Sequence, residues 1–224
     1  MSELGVAASG LKGDVTTREL ERFERTVARR SAEIRATVPS IELTAVVSVD
    51  GALVNGVSLD ALVVEAAAVA LRAVPRANGS YRDGRYETYS RVNIGVVVAD
   101  EEGVYAIPTV FDADTKSVVE LEVELADYRG RARAGDLASA EQTGATFTVS
   151  LPLGDAVVAV EPLIMAPQAA ALAVGGVQSG PVVRDGTVVA GQTIAVALSC
   201  DHRILFAVHG AALLEAFKRH LESV

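Results

Sequence analysis

The sequence is poorest in what secreted and membrane proteins depend on. A single cysteine, Cys200, leaves no partner for an internal disulfide, and no basic stretch followed by an apolar one opens the chain as a secretory leader would. Both features fit a reducing cytoplasm. The longest apolar stretches, 61–74 and 157–173, are interrupted by Glu65, Arg72, Glu161 and two prolines. Neither supplies the roughly 20 apolar residues of a membrane-spanning helix. Positive charge is also short: 20 Lys and Arg against 29 Asp and Glu leave a net charge of -9, which repels a polyphosphate backbone and argues against nucleic acid as a partner. No GxGxxG, P-loop, zinc-ligand spacing or HExxH occurs, so dinucleotide, nucleotide and metal chemistry have no support.

What is present is apolar. Half of the 224 residues are hydrophobic, enough to bury a large core, and no repeat or low-complexity linker divides the chain. One domain spanning 1–224 is expected. Charged residues throughout 15–38, with Leu20, Phe23, Val27 and Ile34 at roughly helical spacing, predict an amphipathic helix ended near Pro39. The β-branched alternation of 41–50 predicts a half-buried strand. Ser58 is placed to cap a second helix over 59–74, apolar almost all round and therefore a core helix. Asp83 and Gly84 mark a hairpin within 81–89. Strands over 92–99 and 104–110 flank the acidic residues Asp100, Glu101 and Glu102, read as a solvated turn. Asp114 or Ser117 can cap a third helix reaching Ala134, its late arginines Arg129, Arg131 and Arg133 suiting the helix dipole. A strand over 146–151 leads into an apolar run over 156–165. Strands over 169–174, 182–189 (around an Asp185-Gly186 turn) and 193–200 follow, and a closing helix over 205–221. The fold class is α+β, a mixed, largely antiparallel sheet flanked by helices.

The strand 193–200 runs into Asp201, His202 and Arg203 and then into a helix, which puts an imidazole at a strand end facing solvent or a cleft. The segment SCDHRILFAVHG resembles the DHRxxDG motif of the catalytic domain of the 2-oxo acid dehydrogenase dihydrolipoyl acyltransferases, relatives of chloramphenicol acetyltransferase. NIGVVVADEEGVYAIPTVFDADTKSVVEL, TGATFTVS and APQAAALAVG resemble further blocks of that family, in order, over most of the chain. The resemblance implies a chloramphenicol-acetyltransferase-like fold and an acyl-CoA, normally acetyl-CoA, as co-substrate. It implies His202 as the general base on an acceptor thiol or hydroxyl, and Ser150, ending FTVS, as the donor to the tetrahedral oxyanion. It also implies a homotrimer in which His202 of one chain meets Ser150 of the next. His209 and His220 read as residues of the closing helix, Cys200 as packing, and Asp201 with Arg203 as a local ion pair.

The chain departs from the family in places. Phe206 and Ala207 stand where the motif has aspartate and glycine. The family's arginine partner of that aspartate falls on Glu24, beside Arg25, so both members of the pair are expected to be gone, which strands no buried charge. Leu151, Pro152, Leu153 and Gly154 replace the usual loop after the serine near the acceptor pocket, so an acceptor other than dihydrolipoamide is expected. With nothing like a lipoyl domain read before the region and no apolar hook after HLESV, a simple trimer rather than a large core is expected. These features suggest a free-standing cytoplasmic enzyme moving acetyl from acetyl-CoA to a small-molecule hydroxyl. Similar stand-alone proteins O-acetylate tetronates in bacterial antibiotic biosynthesis. The alternatives are a dihydrolipoyl acyltransferase core and, with Phe206 as its main argument, an inactive scaffold.

Overall fold

The computed structural model describes residues 13–54, 56–99 and 105–224, in two compact units, Met1–Glu33 and Ile34–Val224. The acidic turn at 100–102 lies outside the described residues. The expected first helix starts late: α1 is Arg22–Thr37, because Glu24 turns back to accept from the Glu21 amide (2.7 Å) and pairs with Arg18 (2.7 Å). That fixes the first helical turn there. Arg25 donates to the Leu20 carbonyl at 2.8 Å.

In the second unit, β1 (Ser40–Ser48) alternates exposed and inward-facing residues as its pattern predicts. Helix α2 (Leu59–Ala73) is capped by Ser58, whose Oγ accepts from the Ala61 amide, and nine of its residues are buried. Its alanines let neighbouring elements approach closely. β2 (Gly79–Arg82) and β3 (Arg85–Thr88) form the expected hairpin, Asp83 and Gly84 both taking the left-handed φ of its turn. β4 (Ile94–Ala99) is followed by two short strands, β5 (Tyr105–Ala106) and β6 (Thr109–Val110), in place of one strand. The break falls at Ile107 and Pro108, since proline has no N–H for a ladder. Helix α3 (Val118–Ala134) begins with a full capping box between Ser117 and Glu120. Asp114 instead pairs with Arg72 at 2.6 Å. β7 (Phe147–Ser150), β8 (Ala170–Val174), β9 (Gln178–Arg184), β10 (Thr187–Asp201) and α4 (Ala207–Leu221) complete the chain.

The last strands differ from expectation. The predicted strands 182–189 and 193–200 are not separate: the hairpin turn falls at Asp185-Gly186, and β10 then runs unbroken for 15 residues through Gly191. A Cβ there would lie 2.5 Å from Val182 Cγ2, so glycine serves close packing inside the strand. The apolar run 156–165 forms neither helix nor strand.

Among the described residues the sheet has eight strands, in the order β1-β10-β8-β7-β4-β5, with β6 on β4 and β9 on β10. The β4–β7 and β7–β8 pairs are parallel, the rest antiparallel. Phe147, Val149, Leu172, Val174, Ile194, Val196, Leu198 and Cys200 point to the helical face and join α2, α3 and α4 in one core. The alternate residues, Thr148, Ser150, Ala171, Ala173, Ala197 and Ser199, point to the other face. The irregular 152–168 segment covers part of that face: Ser199 Oγ donates to the Pro162 carbonyl at 2.6 Å and the Gly176 amide to the Val157 carbonyl at 2.8 Å. A Cβ on Gly175 would fall 1.8 Å from the Val158 carbonyl oxygen, so this crossing requires glycine.

Candidate active site

β10 ends at Asp201, and His202 opens the turn that leads to α4. Backbone bonds pin this turn on several sides. The Asp201 amide donates to the Ala169 carbonyl (2.8 Å), the His202 amide to the Pro39 carbonyl (2.9 Å), and the Ile204 and Leu205 amides to the Asp201 carbonyl (3.0 and 2.8 Å). Asp201 is 1% exposed, and its carboxylate accepts from the Arg203 amide (3.1 Å) and from the Arg203 guanidinium (2.6 Å). The expected local ion pair is therefore formed. Arg203 also stacks over the Tyr81 ring, 3.9 Å from its centroid. Its hydrogen bonds to Asp201 raise its pKa, which keeps it charged.

The backbone of the turn is fixed, yet the His202 side chain is exposed. Among the described residues its ring makes no hydrogen bond and contacts Phe206 edge-to-face, centroids 5.5 Å apart at 68°. The remaining histidines behave as structural residues. His209 Nδ1 accepts from the Phe206 amide (3.1 Å) at the start of α4, and His220 pairs with Glu65 (3.1 Å). Cys200, next to the turn, is fully buried, and burial pushes its thiol pKa up to about 12.

Ser150 is half-buried at the end of β7, and its hydroxyl has no hydrogen-bond partner among the described residues. It pairs across β8 at Ala173, which pairs with Ala197 of β10. His202 lies five residues beyond Ala197 and two strands over, so strand rise and spacing put the two backbone positions roughly 19 Å apart within one chain. They occupy opposite ends of the sheet and the chain does not bring them together.

A cavity of about 620 Å³ lies at the end where β7 and β8 begin, lined by Arg91, Asn93, Thr148, Met165 and Gln168 among others. Gln168 spans it, accepting from Thr148 Oγ1 (2.8 Å) and donating to the Ala145 carbonyl (3.2 Å). Sequence reasoning missed this glutamine; its only local signal was its place in APQAAALAVG. A smaller cavity of about 130 Å³ lies beside the end of β7, lined by Leu151, Pro152 and Leu153 with Asp60 and Arg129. Asp60 pairs with Arg129, and burial nevertheless raises its pKa. Among the described residues no group of three or more His, Cys, Asp or Glu side chains is placed to hold a metal ion, and no helix is long and apolar enough to cross a membrane.

The profile of the family described as 2-oxoacid dehydrogenases acyltransferase (catalytic domain) matches residues 12–224. The chain is 33% identical, over 90% of its length and 40% of the relative's, to the dihydrolipoyllysine-residue acetyltransferase component 3 of the mitochondrial pyruvate dehydrogenase complex of Arabidopsis thaliana. Against the corresponding component of Zymomonas mobilis it is 30% identical, over 91% of its own length and 49% of that relative's. The chain thus spans about half or less of the length of these curated relatives. Among solved structures it resembles a probable dihydrolipoamide acetyltransferase of Listeria monocytogenes, with 26% identity, a TM-score of 0.87, and coverage of 95% of this chain and 96% of that one. The dihydrolipoamide acetyltransferase of Azotobacter vinelandii superposes with the same TM-score of 0.87 at 22% identity, covering 95% and 93% of the two chains. Chloramphenicol acetyltransferase shares the fold at a TM-score of 0.54 and 13% identity, over 92% of this chain and all of that one.

Proposed function

The chain belongs to the 2-oxoacid dehydrogenase acyltransferase family, and from that premise we propose that it is a catalytic domain transferring an acetyl or other acyl group between CoA and a dihydrolipoyl thiol. His202 is the general base and Ser150 the oxyanion donor. The observation that carries this reading is the presentation of His202: a pinned backbone, a neighbouring ion pair whose carboxylate is buried, and an exposed imidazole whose nitrogens make no hydrogen bond among the described residues. In the transfer, His202 takes the proton of the attacking thiol as its sulfur bonds to the thioester carbonyl carbon. The carbonyl oxygen becomes an oxyanion that accepts from the Ser150 hydroxyl. The tetrahedral intermediate collapses by breaking the original C–S bond, and the imidazolium returns its proton to the departing thiolate. No metal takes part in these steps.

Because His202 and Ser150 lie at opposite ends of one chain's sheet, the active site forms between copies, His202 of one beside Ser150 of another in a homotrimer. The Azotobacter protein was studied for the catalytic roles of a serine, a histidine 52 positions later and an asparagine four beyond that. Ser150 and His202 are also 52 positions apart, with Phe206 at the third place. This spacing supports the two assignments and marks Phe206 as the departure.

The relatives are named as components of pyruvate dehydrogenase, which favours the dihydrolipoyl acceptor over the small-molecule hydroxyl expected from the loop, and nothing in them favours antibiotic biosynthesis. The observation that keeps a hydroxyl acceptor as the second reading is the apolar Leu151-Pro152-Leu153 stretch beside Ser150. The test is release of free CoA from acetyl-CoA, with dihydrolipoamide and then hydroxyl compounds as acceptors. His202→Ala is expected to lower turnover by about 10²- to 10⁴-fold and Ser150→Ala by about 10²- to 10³-fold. Wild-type rates in His202→Ala would reject the base assignment. Turnover with hydroxyl acceptors alone would select the second reading, and none with either would select an inactive scaffold.

A further inference from the structure

The residue four positions after His202 is aromatic, and its surroundings give it a definite place. Phe206 is the N-cap of α4 and is 45% exposed. An apolar side chain offers a helix N-terminus no acceptor, so capping does not account for it. It is instead held among three neighbours. The Arg76 guanidinium stands 5.9 Å from its centroid, the His209 ring 5.7 Å at 33°, and the His202 ring 5.5 Å at 68°. Arg76 is itself fixed, its Nε donating to the Ile204 carbonyl at 2.8 Å and its guanidinium lying closer to Tyr86, 4.8 Å from that centroid. The Phe206 amide is tied to His209 Nδ1. Backbone and ring are therefore both restrained, and this phenyl group is the ring that the His202 imidazole contacts among the described residues.

We propose that Phe206 is the positioning residue for His202, holding the imidazole by an edge-to-face contact where a polar residue would hold it by a hydrogen bond; this rests on His202 being the base. The contact removes rotamers that would swing the imidazole away from an incoming thiol. The phenyl ring is in turn held by Arg76, from the turn after α2, and by His209 of α4.

The experiment compares wild type, Phe206→Leu and Phe206→Tyr by the NMR cross-relaxation between the ring at position 206 and the His202 imidazole protons, assigned with His202→Ala, and by steady-state acetyl transfer. Wild type is expected to show ring-to-ring cross-peaks that fix one imidazole rotamer, and Phe206→Leu to lose that single rotamer and reduce kcat roughly threefold to tenfold with KM for acetyl-CoA nearly unchanged. Phe206→Tyr, which keeps the ring, should restore both. A Phe206→Leu chain with the wild-type kcat overturns the proposal. An inactive wild type rejects the catalytic reading of His202 instead, and with it the positioning role, even where the cross-peaks show the two rings in contact.

Discussion

Cys200 stands two positions before the proposed base, yet the two side chains have opposite fates. The thiol faces the helical core against Gly210, where a Cβ would come within 3.0 Å of its sulfur, and burial raises its pKa to about 12. A thiol without thiolate character and without access is inert. Iodoacetamide at pH 8 is therefore expected to leave the folded protein unmodified and to label Cys200 fully in denaturant, as mass spectrometry would show; rapid labelling of the folded protein would contradict this burial. His202, just past the strand end, has left the ladder and is exposed. The alternation of strand residues foretold the first outcome. The contact of His202 with Phe206 was not legible, because it depends on how the turn closes onto α4.

At the scale of elements, the caps were the most legible features. Ser58, Ser117 and the Asp83-Gly84 turn act within a few residues of themselves, so their chemistry is local and readable. Ser117→Ala removes a capping box and is expected to cost about 1 kcal/mol, lowering Tm by roughly 2–4 °C in a thermal melt. The start of α4 provides the opposite case. Phe206 supplies no cap, and only the reciprocal bond from its amide to His209 is made. Phe206→Asp places an acceptor and a negative charge at that terminus and is expected to raise Tm by a similar amount, while disturbing His202. A fall in Tm would show that the phenyl ring contributes more to stability through its contacts than a cap would. The continuity of β10 through Gly191 depends on partners found only after folding, whereas the break at Pro108 and the late start of α1 at Arg22 rest on local chemistry, a missing amide and the turn made by Glu24, that periodicity alone does not show.

For the whole molecule, the proposed interfacial site makes a clear expectation. His202→Ala and Ser150→Ala chains, each inactive alone, are expected to regain part of the wild-type activity when co-refolded, since some interfaces then join an intact His202 to an intact Ser150. No recovery would place both groups in one chain or remove one of them from the reaction. The charge distribution gives a second expectation. Asp50, Asp112, Glu120 and Glu141 have pKa values lowered by hydrogen bonds from Ser48, Arg91, Ser117 and Arg131 respectively. Groups lowered in the folded state contribute stability that is present above their ordinary values near about 4 and lost as pH falls through the folded ones. Asp60, raised by burial, acts in the opposite sense, because its protonation removes a cost. With these four groups and Glu24, which Arg18 lowers, set against one raised group, denaturant midpoints are expected to hold from pH 7 to about 5 and to fall below about 4. Unchanged midpoints at pH 3 would show that these exposed bonds contribute little.

The sequence by itself determined the α+β class, the order of most elements and the caps, because propensity and capping are carried by near neighbours, while the family resemblance is what singled out His202 and Ser150. The tertiary structure decided the rest. The apolar run 156–165 became an irregular cover because the small side chains on one face of the sheet, and Gly175 and Gly176, let backbone approach it. The separation of His202 from Ser150 follows from strand order and register, which fix distances that no local pattern encodes.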